Sequence, residues 1–352
     1  MEFYKEQDGF KEEKNSETVY HTGNGFYNPY IEPLWKKEKR SIRNSGNGIG
    51  MAALGYIAIS LVAGTLYDII AKFIFPLTNI PGFIYITETV EWLFSLLIYI
   101  IALMVPFGIF ALCVKIPFGV ALPFRKAKAD LTFGGLMVGL GMGVVASYAT
   151  YFLQLVLESV GIGITMPEYE TPVTVPGIIL YIICVVVAPA FIEEIIFRGI
   201  VMQSLRRFGD IFALLASSIM FGIFHLNLIQ MPYAFIMGLC IGYFVMRSGS
   251  IWVGILLHFV NNGVAVAFEF LYPYMTEETW YLANTVYNLA SVILSVIAII
   301  AILMKYKDMF RFEQKSEALT PGQKTFYFTT SPVMIAAIAV AVAMTLNYVY
   351  LL

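Results

Sequence analysis

Residues 176–201 read PGIILYIICVVVAPAFIEEIIFRGIV: seventeen residues without a charge, then two glutamates and an arginine, then apolar residues again. A membrane-crossing helix needs about 20 predominantly apolar residues, so this stretch reads as a span that carries Glu193, Glu194 and Arg198 at membrane depth. The whole chain agrees with that reading. It is 59% hydrophobic and 13% charged with a mean hydropathy of +0.76, far from the roughly 45–50% apolar and about 25% charged residues of soluble domains. About nine apolar stretches, beginning near residues 49, 91, 131, 176, 209, 231, 250, 279 and 331, are candidate spans. The expected fold is therefore all-α, a polytopic transmembrane bundle of about eight to nine spans.

Residues 1–48 are polar, lack an apolar signal-peptide core and end in the basic cluster Lys36, Lys37, Lys39, Arg40 and Arg43. They read as a disordered cytoplasmic tail, with residues 49–352 as the transmembrane domain. Basic residues accumulate in cytoplasmic loops. With the N-terminus inside, the inner loops collect Lys115, Arg125, Lys126, Lys128, Arg206, Arg207, Arg247, Lys305, Lys307, Arg311, Lys315 and Lys324, while the outer loops carry acids such as Glu88, Glu158, Glu277 and Glu278. The expected location is a cell membrane, multi-pass. A net charge of -2 gives no pull toward nucleic acid. Cys113, Cys184 and Cys240 lie in apolar runs without metal-site spacing and read as small buried hydrophobes. Gly135, Gly139 and Gly143 form a GxxxG repeat that reads as a close helix-packing stripe.

Ionisable side chains at membrane depth are costly and point to function. Glu194 and Arg198 are four apart, share a helix face and can pair, whereas Glu193 points about 100° away. An Arg-paired carboxylate is structural; its neighbour in an apolar cavity is placed to exchange protons. Phe221 and His225 have the same four-residue spacing on the next candidate span. Glu193 lies sixteen residues before Gly209 and His225 sixteen after, so an antiparallel hairpin turning there brings them to one height, ~24 Å from the turn at 1.5 Å per residue. Such depth requires the hairpin to protrude into the cytoplasm if the site is near the inner face. In LLHFVNNGVA, residues 256–265, His258 and Asn262 are again four apart and can both donate to a developing oxyanion. A carboxylate and a histidine to activate water, with two donors opposite, is what peptide hydrolysis requires. The plain alternative for each polar residue alone is a tie between helices, which is the reading adopted for Asn261.

The three motifs EExxxR (Glu193–Arg198), FxxxH (Phe221–His225) and HxxxN (His258–Asn262) resemble those of the CAAX protease and bacteriocin-processing family of intramembrane endopeptidases, which includes the type 2 CAAX prenyl proteases. Gly238, Gly242 and the turn Arg247-Ser248-Gly249-Ser250 add to the likeness, which covers about residues 176–265. The resemblance implies that Glu193 acts as general base with His225, that Arg198 holds Glu194, and that His258 and Asn262 stabilise the oxyanion. It also implies a cavity open to the cytoplasm and a membrane protein or peptide substrate, with prenylated, lipidated substrates among those the family permits. Glu193, His225 and His258 could alternatively form a His₂Glu zinc site; metal-free glutamate chemistry is favoured, because HExxH is absent and Asn262 is a poor zinc ligand. The GxSG of rhomboids is absent, and Arg207 replaces the glycine of a GxGD aspartyl motif before Asp210. A non-proteolytic scaffold or bacteriocin-immunity protein and a proton-coupled transporter are the competing functions.

Overall fold

The computed structural model describes residues 32–74, 83–165, 171–313 and 318–352. Its helices are α1 (Leu34–Ile74), α2 (Phe83–Val114), a one-turn α3 (Phe118–Ala121), α4 (Ala129–Ser159), a composite α5 (Val175–Phe208), α6 (Asp210–Ile223), α7 (Gln230–Ser248), α8 (Ile251–Leu271), α9 (Glu277–Lys305), α10 (Pro321–Thr329) and α11 (Pro332–Thr345). Two three-residue strands, β1 (Ile162–Ile164) and β2 (Val349–Leu351), pair antiparallel with Ile162 opposite Leu351. The protein is an all-α polytopic membrane bundle, as its composition requires.

Seven helices are long and apolar enough to cross a membrane, and the bent pair α10–α11 brings the number to eight among the described residues. The candidate span near 209 is the one that fails. Its helix α6 has 14 residues, ~21 Å against a hydrocarbon thickness of about 30 Å. The segment is apolar because it is enclosed by protein: Phe212, Ala213, Ala216, Met220 and Phe221 are all buried. It packs antiparallel on α7 and against the end of α5.

Part of the stretch expected to be a tail is helical. Residues 34–48, read as disordered, are the first turns of α1, while residues 1–31 lie outside the described residues. Asn44, Ser45, Gly46, Asn47 and Gly48 look like a linker, yet they form a helix crossing. A Cβ on Gly46 would lie 2.7 Å from the Phe328 carbonyl oxygen, and one on Gly50 2.8 Å from the Met334 nitrogen. The Asn47 amide oxygen accepts from Val333 N at 3.1 Å, and Arg207 donates to Ser45 Oγ at 3.0 Å. Lys324 pairs with Glu38 at 3.0 Å and donates to the Phe208 carbonyl at 2.7 Å. Polar residues chosen for these contacts hide the helix from a hydropathy reading.

The glycine stripe of α4 does pack. Gly134 and Gly141 face Ile302 and Ser295 of α9, Gly135 faces Phe244 of α7, and Gly139 faces Leu257 of α8. Small residues here bring three helices against one. Proline shapes α5. Pro189 lacks an N–H, so the carbonyl four residues before it, that of Val185, has no α-helical partner; residues Ile183–Val187 widen into a π-turn, and a second π-segment spans Glu194–Val201. Such π-bulges recur at functional sites.

Candidate active site

The six residues singled out by the motifs converge from three elements. Glu194 is fully buried in the second π-segment of α5, and its Oε1 lies 3.0 Å from Arg198 Nη1 and 3.0 Å from His258 Nδ1. The arginine side chain is 1% exposed, and its guanidinium stacks on the Phe221 ring, 4.0 Å from the centroid. Phe221 also meets both imidazoles edge-on, His225 at 5.0 Å and His258 at 5.8 Å. The FxxxH spacing therefore places one ring where it touches the arginine and both histidines.

A carboxylate held by an arginine accepts hydrogen bonds and donates none. In the neutral His258 ring Nδ1 is then the nitrogen that donates to Glu194, and Nε2 carries the lone pair. That nitrogen faces Glu193, 3.9 Å from its Oε2, too far for a direct hydrogen bond. Glu193 is held at its other oxygen: Oε1 accepts from Tyr99 Oη of α2 at 2.6 Å, while Oε2 has no hydrogen-bond partner. Glu193 and Glu194, adjacent in sequence, thus occupy different surroundings, one on a cavity wall and one locked behind it. Gly254 of α8 makes room for the second, since a Cβ there would sit 2.8 Å from Glu194 Oε2.

The Asn262 amide donates from Nδ2 to the Val185 carbonyl at 3.0 Å, the oxygen that Pro189 leaves without an α-helical partner, and its Oδ1 accepts from Asn261 at 3.2 Å. Asn261 in turn accepts from Tyr233 Oη at 2.6 Å, so it does tie helices together while standing on the same wall. His225 Nδ1 lies 2.8 Å from the Phe221 carbonyl, which receives its proton and leaves Nε2 unprotonated in the neutral ring.

Glu193, His225, His258, Asn261 and Asn262 all line one cavity of about 1350 Å³. Glu194 and Arg198 lie behind its wall. Sequence reasoning missed Tyr99, Tyr233 and Gly254. Tyr99 stands in the uniformly apolar run of α2 with no motif around it, and only the fold shows that it reaches Glu193. As a metal centre the donor set fits poorly: among the described residues no three His, Cys, Asp or Glu side chains converge closely enough to hold an ion.

Residues 175–264 match the family described as "Type II CAAX prenyl endopeptidase Rce1-like". The Bacillus subtilis (strain 168) protein "Putative membrane peptidase YdiL" is 26% identical over 162 residues, which is 43% of this chain and 66% of that protein, so the chain spans just under two thirds of its relative. No solved structure matches the chain. The segment that carries all six site residues is thus similar to the type II CAAX prenyl endopeptidases, as its three motifs implied.

Proposed function

We propose that the protein is an intramembrane endopeptidase that hydrolyses a peptide bond of a membrane-associated polypeptide with a water activated by Glu193. The family match and the relative's name support a membrane peptidase in general. The observation that carries the mechanism is the 3.9 Å gap between Glu193 Oε2 and His258 Nε2 on the wall of a large cavity. Two acceptors at that separation can be bridged by one water that donates a proton to each.

In this reading Glu193 takes the proton as the water oxygen attacks the carbonyl carbon, and then delivers it to the leaving nitrogen as the C–N bond breaks. Tyr99 holds the carboxylate in aim. His258 orients the water, and its orientation is fixed by Glu194, itself fixed by Arg198. The Asn262 N–H not used by Val185 is the donor for the oxyanion. This assigns His258 to the water side, where the sequence motif had implied an oxyanion donor, and it leaves His225, with its free Nε2 on the cavity, to accept or relay a proton beside the leaving group. The chemistry is drawn from the chain's own carboxylate, without a metal.

The test compares membrane proteomes of cells carrying the wild-type protein and Glu193→Gln. Species shortened by cleavage should vanish in the variant while its expression and thermal unfolding stay unchanged, since a general base contributes ~10²–10⁴-fold in rate. Cleavage that persists at wild-type level in Glu193→Gln would overturn the assignment.

A further inference from the structure

The cavity that holds Glu193 and His258 has a direction. Its walls include Gly64 and Tyr67 of α1, Glu88 and Glu91 of α2, Gln154 of α4 and Glu269 of α8. Every one of these lies in the half of its helix toward the loops between α1 and α2, between α4 and α5, and between α8 and α9. Cross-links confirm that these segments share one end of the bundle: Glu88 accepts from the backbone of Val173 and Thr174 at 3.1 and 3.0 Å, and Glu269 accepts from Tyr181 Oη at 2.7 Å.

Toward the other end the molecule is closed. Between Glu193 and the Gly209 turn lie Ile196, Phe197, Met202 and Leu205, and across from them Phe212 and Met220, all at most 1% exposed. None of these lines the cavity. That closed end holds the basic segments. The Arg206–Phe208 turn, the start of α1 and α10 meet there through Lys324, Glu38 and Arg207, and the loop before α4 is tied to the α7–α8 turn by the bond from Ser250 Oγ to the Arg125 carbonyl. Among the described residues the one Lys or Arg at the open end is Lys72, in the last turn of α1.

Basic residues mark the cytoplasmic side of a membrane protein. We infer that the active-site cavity is fed from the extracytoplasmic side, and that the substrate is a membrane-anchored polypeptide whose scissile bond enters from that side. The resemblance to CAAX proteases implied the opposite, a cavity open to the cytoplasm. The depth of Glu193, ~24 Å from the basic turn, then needs no protruding hairpin, because the packed core fills that interval. This inference builds on the peptidase reading for the identity of the substrate, but the direction of access stands on the cavity and the charges alone.

Thiol labelling in intact cells tests it. In a background with Cys113, Cys184 and Cys240 replaced by alanine, Ser147→Cys and Gln154→Cys place a thiol on the cavity wall, and Lys126→Cys places one at the basic end. None of these positions belongs to the proposed machinery. A trimethylammonium-bearing methanethiosulfonate, which does not cross membranes, should modify the two cavity thiols from outside intact cells and reach Lys126→Cys only after permeabilisation. Modification of Lys126→Cys from outside, or of the cavity thiols only after permeabilisation, overturns the inference, as does a cavity thiol that is never modified. Labelling needs no catalysis. Outside labelling together with no cleavage by the wild type would sink the peptidase reading alone, and inside labelling with Glu193-dependent cleavage would sink the direction of access alone.

Discussion

Replacing Arg198 by methionine isolates the force that holds the site's rear wall. Arg198 is 1% exposed and Glu194 fully buried, 3.0 Å apart, so truncating the arginine leaves an anion in a low-dielectric interior with His258 as its remaining partner. Removing one member of a buried pair costs about 3–5 kcal/mol. Loss of the stack on Phe221, 4.0 Å from the guanidinium, is part of that sum, since desolvated cation–π contacts reach about 2 kcal/mol. The cost arises chiefly from the stranded charge, so the double variant Glu194→Gln, Arg198→Met should recover roughly 1–3 kcal/mol of the loss as positive coupling. Activity should not return with stability, because a neutral glutamine no longer fixes the proton on His258 Nδ1. Unfolding in mixed micelles titrated with SDS measures the stabilities, and cleavage in membranes measures the activity. An Arg198→Met variant within about 1 kcal/mol of wild type, or a double variant no more stable than the single one, would refute the buried-pair account.

Gly254→Ala drives a methyl to within 2.8 Å of Glu194 Oε2 and 2.6 Å of Val245 Cγ2 and should cost about 1–3 kcal/mol by overpacking, with activity lost alongside. Gly263→Ala, whose Cβ would come no closer than 3.8 Å to Val186, is the control that should be tolerated in the same SDS titration. Tyr99→Phe removes the 2.6 Å hydrogen bond to Glu193; bonds to charged groups are worth about 1.5–3 kcal/mol, so turnover should fall roughly 10- to 100-fold, and a fall below twofold in a rate assay would show that Tyr99 does not aim the base. Purified protein should contain no stoichiometric zinc by elemental analysis and should keep its activity after chelation, whereas restoration by added zinc would reinstate a metal. Because Glu88, Glu91 and Glu269 line the cavity and, among the described residues, no Lys or Arg does, model peptides flanked by lysine should be cut faster than their glutamate counterparts, with a difference that shrinks as salt rises.

Most of the site was legible in the sequence because its parts are local. Glu194 and Arg198, Phe221 and His225, His258 and Asn262 each sit four residues apart, and along a helix that spacing alone sets two side chains on one face. What joins the pairs was not local. The pairing of His258 with both glutamates depends on how α8 lies against α5, which Gly254 permits and no periodicity announces. Tyr99 reaches Glu193 across 94 residues of chain. The span expected near residue 209 and the disorder expected of residues 34–48 fail for one cause: hydropathy reports the polarity of a segment's surroundings and not their identity. α6 is apolar because protein encloses it, and residues 44–48 are polar because they cross other helices.

The proline in the middle of α5 shows how a backbone defect becomes part of the site. A straight α-helix through Val185 and Pro189 would leave the Val185 carbonyl facing a ring that cannot donate. An unpaired carbonyl at membrane depth costs several kcal/mol, and here Asn262 from α8 satisfies it at 3.0 Å. The same bond fixes the asparagine amide: with one N–H directed at Val185 and Oδ1 accepting from Asn261, the remaining N–H has a defined direction. Asn261 is pinned in turn by Tyr233 of α7. Under the proposed mechanism Asn262 is the oxyanion donor, which must be held before the reaction starts, and a helix that had kept its own hydrogen bonds would have offered it nothing to hold.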